Sequence, residues 1–530
     1  MNHIELFSGC GGMSLGLKAS NFSLLMANEL SPMASTTFAY NFLGENLEEL
    51  AKTERNPQNV VWLSSNFKGL SDRLKENPFQ YPPVGTTDSY SDLPDDPMML
   101  AGKLLVGSIV ELNRYLRANP VARSALASAF GKKDGLDLVS GGPPCQSFSM
   151  AGLRQKNCEK NTLPWEFAEF VKLTQPKLVL LENVTGILRA FNGDDGEKYY
   201  AWYEVAKAMA EVGYAPLCLH INARHAGVAQ NRPRFILIGI NLDYYFRNEK
   251  RLSRCKNTTE LLTPSVEFAL AVGEEGMNMP FGQLTVFDSE KNDHRSLMKN
   301  SFLRHLFAEE EVSVKDAIDD LKRSKPSAKS SFVKYLNRSF GGKSDDGIVE
   351  NNKERSHSET IRQRFRVYQI LRDIRDIEVR VEVESLLRRK STRLSERAWL
   401  ALQNKKFLLA DKKTFGKLPS RTLMQNYFLR LSTLKHSQKA LKPNEPAPAA
   451  LSIPDDTCHY NELRVLTIRE MARIQSFPDS FVFLSKETTG GSQRKYEVPQ
   501  YTQVGNAVPP LLARQIGLCL AELLSSPWSP

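Results

Sequence analysis

Residues 3–30 read HIELFSGCGGMSLGLKASNFSLLMANEL. A short apolar run ends in a glycine-rich turn, Phe7 to Gly12. The helix-forming stretch MSLGLKAS follows, and then a second apolar run, FSLLMANEL. Two strands joined through a helix by short links predict a parallel α/β sheet. Ser31 and Pro32 then open a further helix over SPMASTTFAYNF. In open α/β sheets a glycine turn between strand and helix is where nucleotide-type cofactors bind, because glycine lets backbone approach a ligand closely. The dinucleotide fingerprint would need glycine at position 14, where Ser14 stands, and there is no Gly-Lys-Ser/Thr phosphate loop. The turn therefore predicts a cofactor without a pyrophosphate. Glu29, ending the second strand, is placed to accept from ribose hydroxyls. Taken alone, such a turn is equally well a plain structural feature.

The same alternation continues outward. KLLVGSIV (103–110), GLDLVSGG (135–142), KLVLLENV (177–184), APLCLHIN (215–222) and RFILIGIN (234–241) read as strands. WEFAEFVKL (165–173) and YYAWYEVAKAMAEV (199–212) read as helices between them. Residues 45–103 are rich in Pro, Asp and Asn with weak periodicity, and read as an insertion. From 243 to 460 the chain is polar, basic and irregularly helical, closing in a Pro/Ala linker, KPNEPAPAALSIPDD (442–456). RVLTIREMARIQSF (464–477) then predicts an amphipathic helix, and VPPLLARQIGLCLAELL (508–524) another.

With 530 residues, 41% of them hydrophobic, the chain has room for two or three domains. Its net charge is +10, but Arg362 to Lys442 holds 21 Lys or Arg against 7 Asp or Glu, an excess of +14, which leaves the rest near −4. One segment carries the whole excess, which favours a polyanionic partner over a merely solvated face. Seven scattered cysteines with no Cys-x-x-Cys pair argue against a disulfide framework or zinc site, and for a reducing cytosol. No apolar run is long enough to span a bilayer, and MNHIELFSGCGG is no signal peptide.

Three strand ends carry candidate chemistry. DLVSGGPPCQSFSMAG (137–152) sets Cys145 behind Pro143 and Pro144, whose fixed φ angles stiffen the turn. A lone cysteine is usually a small buried hydrophobe, yet this one belongs at the carboxyl edge of the sheet, beside the cofactor crevice. KLVLLENV ends in Glu182 and Asn183, which puts a carboxylate near the same crevice, suited to acid chemistry. QNRPRFILIG sets Arg232 and Arg234 two residues apart, facing one way in extended chain and suited to a phosphate or a carbonyl oxygen.

The glycine turn, GGPPCQSFSMAG, Glu-Asn-Val, Gln-x-Arg-x-Arg and a late YTQVGNAVPP, in this order, closely resemble the cytosine-C5 DNA methyltransferase family. The resemblance covers 1–44, 104–242 and about 460–522. It implies the α/β fold of S-adenosylmethionine-dependent methyltransferases, a mostly parallel sheet flanked by helices, with a separate basic target-recognition domain. The division would be 1–242 catalytic, 243–460 recognition and 461–530 returning to the catalytic domain. A first motif starting at Glu5 leaves no room for an N-terminal regulatory domain, as in a compact prokaryotic or phage restriction-modification enzyme.

The resemblance also implies roles. Cys145 would add to carbon 6 of a cytosine flipped out of double-stranded DNA, Glu182 would bond N3 and the exocyclic amine, and Arg234 would hold O2. Arg232 would support Arg234 or bind a phosphate. S-adenosyl-L-methionine would lie on Phe7, Ser8, Gly9, Cys10, Gly11 and Gly12, with Glu29 on the ribose. Leu30, Ser108 and Ile109 would border the adenine, Pro144 and Leu163 would line the pocket, and Asn506 and Val508 would close it. Leu30 and Ser108 depart from the family's usual aromatic ring and aspartate. No metal is implied. A monomer acting beside a separate restriction endonuclease is expected. A tRNA cytosine methyltransferase and an inactive DNA-binding relative stand as the alternatives.

Overall fold

The computed structural model describes residues 1–144, 162–192, 198–341, 349–409, 414–435, 438–449 and 457–525. At its centre is a nine-stranded sheet. Its strands in chain order are β1 (Asn2–Leu6), β2 (Ser23–Glu29), β3 (Val60–Trp62), β4 (Lys103–Val106), β5 (Leu138–Gly141), β6 (Leu178–Val184), β7 (Tyr214–Asn222), β8 (Pro233–Asn241) and β9 (Val286–Asp288). Across the sheet the order is β9-β7-β8-β6-β5-β1-β2-β4-β3. β8 alone runs against its neighbours, antiparallel to both β6 and β7. The link from β7 to β8 is too short for a helical crossover, so the chain can only turn back on itself. The central strands are buried on both faces, which is why they read as unbroken apolar runs.

The helices α1 (Gly12–Ala19), α2 (Pro32–Phe38), α4 (Leu163–Thr174) and α5 (Ala201–Glu211) follow strands as the sequence predicts, whereas α3 (Ile109–Ala118) takes Ile109 and Val110 out of the run read as a strand, because Ser108 caps a helix there. Ser31 caps α2, its Oγ accepting from Ala34 N, with Pro32 as first helical residue. The chain returns to this core through α6 (Ile468–Ile474), α7 (Gln500–Asn506) and α8 (Pro510–Leu524). α8 lies on α1 so closely that a Cβ on Gly16 would stand 2.4 Å from the Cβ of Ala513.

Four expectations change. The sheet reaches past residue 242, since Val286–Asp288 is its ninth strand and Tyr245, Leu261, Phe302 and Leu336 share the main core. A second hydrophobic cluster, Phe365 to Val465 with Phe407, Phe428 and Leu431 at its heart, holds the basic segment. The insertion at 45–103 supplies the edge strand β3, whose Trp62 is buried with Leu47 and Leu70. Three residues are too short a run to show a period of two.

The Pro/Ala linker is tied down where it is described. Lys315 N donates to Pro443 O, Val314 N to Glu445 O and Ala447 N to Ala229 O. Nor is α6 amphipathic: all seven of its residues are buried. Its charged side is spent inside, with Arg469 donating to the carbonyls of Glu350, Pro478 and Phe481, and Arg473 paired with Asp320 and Asp479. Among the described residues no single helix is long and apolar enough to cross a membrane.

Candidate active site

Strand register gathers the candidate residues at one edge of the sheet. Leu6 pairs with Gly141, and Gly141 with Leu181, so the glycine turn, the GGPP turn and Glu182 leave three adjacent strands at one level. Glu29 pairs with Val106, which sets Ser108 just beyond β4 at the same edge. Because β8 is reversed, its first residues rather than its last lie here: Arg234 pairs with Val184 and Ile236 with Glu182.

The glycine turn is bound to the end of β2. Gly9 N donates to Glu29 Oε2 at 2.7 Å and Ser31 N to Glu29 Oε1 at 2.8 Å. Burial raises the Glu29 pKa, and these N–H donors pull it back. Two features of the turn fit a ligand. Among the described residues Ser8 Oγ is buried with no partner, and Gly9 has a φ of 55° with nothing within 4 Å of where a Cβ would point. Beneath the turn, Ser14 Oγ donates to the buried carboxyl of Glu5. Burial, with the nearby Glu29 adding to it, raises Glu5 to about 8.

The remaining cofactor candidates surround this turn unevenly. Phe7 and Leu30 are half-buried and Ile109 buried. Ser108 caps α3, its Oγ accepting from Val110 N at 3.2 Å. Leu163 is the half-buried first residue of α4, and Pro144 is exposed. From the C-terminal return, Cys10 Sγ lies 3.7 Å from Gln503 O. A Cβ on Gly12 would stand 2.3 Å from Val508 O, so only glycine admits this approach. Asn506 is exposed beside it.

Glu182 and Arg234 face each other across β6 and β8. Arg234 Nε lies 2.6 Å from Glu182 Oε1, with side chains only 10% and 12% exposed. Cys145 lies outside the described residues, as does Cys158. Of the other cysteines, Cys10, Cys218, Cys458 and Cys519 are buried, and burial pushes each of these thiols up, Cys10 and Cys458 to about 12. Four of the seven are therefore poor sources of thiolate.

Two contacts escaped the sequence reading. Asn183 Nδ2 donates to Pro143 O at 2.9 Å, a buried bond that pins the turn leading to Cys145. Its Oδ1 accepts from Val184 N at 2.8 Å. The adjacency of Asn183 to Glu182 was the one available signal. Arg232 does not accompany Arg234. Its Nη2 donates to Gly505 O at 2.7 Å and to Ala507 O at 3.2 Å, both carbonyls of the C-terminal return.

A family model described as C-5 cytosine-specific DNA methylase matches residues 1–67 and 124–521. The type II methyltransferase M.DdeI of Desulfomicrobium norvegicum is 26% identical over 532 residues, covering 99% of this chain and 88% of its own. The DNA (cytosine-5-)-methyltransferase M.ApeKI of Aeropyrum pernix is 23% identical over 570 residues, covering 99% and 98%. Among solved structures, the Entamoeba histolytica methyltransferase EhMeth aligns over 99% of both chains at 10% identity with a TM-score of 0.40.

Proposed function

The chain belongs to the C-5 cytosine-specific DNA methylase family, and from that premise we propose how its residues perform the reaction. The protein transfers a methyl group to carbon 5 of cytosine in DNA. The observation that carries the residue assignment is the Glu182–Arg234 pair, 2.6 Å apart and largely buried, beside the turn that leads to Cys145.

Bound S-adenosyl-L-methionine supplies an electrophilic methyl group. Phe7 to Gly12 would hold it, with Ser8 Oγ, unpartnered among the described residues, offering a hydrogen bond and Glu29 receiving the ribose. Leu30, Ser108 and Ile109 border the adenine. Pro144, Leu163, Asn506 and Val508 complete the pocket.

Carbon 5 of cytosine is a poor nucleophile. The Cys145 thiolate adds to carbon 6, breaks the aromaticity and makes carbon 5 enamine-like. Glu182 bonds N3 and the exocyclic amine, stabilising the ring as it accepts the electron pair. Arg234, oriented by Glu182, donates to O2. Transfer of the methyl group leaves S-adenosylhomocysteine; a water then takes the proton from carbon 5 as the carbon 6–sulfur bond breaks, which restores the ring and the thiolate.

None of these atoms can be reached inside a duplex, so the base is flipped out at a cost of a few kcal/mol. Phosphate contacts from the basic unit built on the Phe365–Val465 cluster offset that cost. We assign this unit to recognition of a specific double-stranded sequence. The type II names of the relatives support an enzyme paired with a separate restriction endonuclease. A monomer suffices for this chemistry.

A duplex carrying 5-fluorocytosine tests the assignment. Fluorine cannot leave carbon 5 as a cation, so the enzyme should stall as a denaturation-stable adduct that requires S-adenosylmethionine and maps to Cys145. Cys145→Ala should form none, whereas the other six cysteines should be replaceable. An adduct on any other cysteine overturns the mechanism. Transfer of labelled methyl to tRNA in place of DNA would favour the RNA alternative.

A further inference from the structure

Arg232 is 3% exposed, yet among the described residues carbonyl oxygens, not a carboxylate, receive its guanidinium. Its backbone is fixed as well, since Arg232 N donates to Asn222 Oδ1 at 3.0 Å. The two acceptors, Gly505 O and Ala507 O, flank Asn506 where α7 ends. The next residue, Val508, presents the carbonyl that occupies the space a Gly12 side chain would need. One guanidinium therefore joins the start of β8, two residues from Arg234, to the segment pressed against the glycine turn. A cation buried this deeply is costly unless its donors find acceptors; here one nitrogen, Nη2, serves both carbonyls, while Nε has no hydrogen-bond partner among the described residues.

We propose that Arg232 is a positioning residue of the cofactor site: it holds Gly505–Val508 against the glycine turn and takes no part in binding DNA phosphate. The proposal rests on the reading of that turn as the S-adenosylmethionine site. Without the guanidinium, two carbonyls lose a charged donor and the segment carrying Asn506 and Val508 is released from the turn. The released wall should weaken cofactor binding while leaving the base-facing pair, Glu182 and Arg234, in place. Gly12→Ala attacks the same junction from the other side.

The test measures equilibrium binding of S-adenosylhomocysteine by titration calorimetry in wild type, Arg232→Ala, Arg232→Lys and Gly12→Ala. It also measures the salt dependence of duplex binding. Arg232→Ala should weaken S-adenosylhomocysteine on the order of 10- to 100-fold, the loss expected for hydrogen bonds to a charged group. KM for S-adenosylmethionine should rise more than kcat falls. Arg232→Lys should recover part of the affinity, and it carries the test should the alanine variant not fold. Gly12→Ala should share the signature.

The log–log salt slope for DNA should stay at the wild-type value, whereas removing a cation that binds phosphate would lower it by about 0.9. Unchanged S-adenosylhomocysteine affinity in the Arg232 variants, or a reduced salt slope, overturns the proposal. Failure of the wild type itself to bind S-adenosylhomocysteine would instead overturn the cofactor reading beneath it.

Discussion

Asn183→Ala should slow attack on the cytosine far more than it weakens the cofactor. The substitution deletes a buried donor 2.9 Å from Pro143 O and an acceptor 2.8 Å from Val184 N. Each bond contributes about 1 kcal/mol net, and a buried carbonyl left unpaired costs about 1–3 kcal/mol more. The Pro143 carbonyl can avoid that penalty by moving toward water, and then the turn moves with it. Cys145 follows Pro143 by two residues, at most about 7 Å of chain, so a displaced turn displaces the thiol. A misplacement of about 1 Å costs on the order of 100-fold in rate.

Single-turnover adduct formation on a 5-fluorocytosine duplex reads that step directly, with S-adenosylhomocysteine affinity as the control. Asn183→Asp sharpens the test, because a carboxylate facing the Pro143 carbonyl repels it and should be slower than alanine. If folded Asn183→Ala and Asn183→Asp both form adduct within a few-fold of wild type, the turn is positioned by its prolines and the reasoning fails.

Glu182→Gln should bind cofactor nearly as wild type and lose turnover severely, since an amide can reach N3 but cannot carry the proton; initial rates near wild type would remove Glu182 from catalysis. Neutralising Lys390, Arg393 and Lys439, all exposed, should flatten the log–log salt dependence of DNA binding by about 0.9 for each of the three that binds a phosphate, and an unchanged slope would make this surface a solvated face. Arg364, Arg366 and Arg372 donate instead to carbonyls within the same unit, so their replacement should lower thermal stability before it alters the slope.

Glu5→Gln should change the pH dependence of stability. The folded protein keeps a proton on Glu5 up to about 8, whereas its ordinary value is 4.5. Between these values the folded state binds more protons than the unfolded one, so wild type loses stability as pH rises through the window, by about 1.4 kcal/mol per unit at most. The glutamine variant lacks this loss and should gain on wild type from pH 5 to about 8 in denaturant titrations; parallel curves would show that Glu5 is ionised in the folded protein.

The sequence by itself determined the parts that are local. An unbroken apolar run, a glycine turn and a capped helix are written within a few neighbouring positions, so β1, α1, β2 and the cores of β4 to β8 could be read directly. The ends of those strands then pointed to Glu29, Glu182 and the turn before Cys145. Tertiary structure decided what depends on partners far along the chain. Val60–Trp62 and Val286–Asp288 are strands only because β4 and β7 offer them an edge. α6 carries two arginines that look solvated until Asp320, Asp479 and the carbonyls of other segments close over them. Arg232 and Arg234 share a spacing that puts both on one side of an extended chain. Their fates part because one finds Glu182 on β6 and the other finds Gly505 and Ala507 some 273 and 275 residues away. The charge and reach of a side chain are set where it stands in sequence. Its partner is set by which segments the folded core brings beside it, since burying a guanidinium is costly unless acceptors stand there to receive its donors.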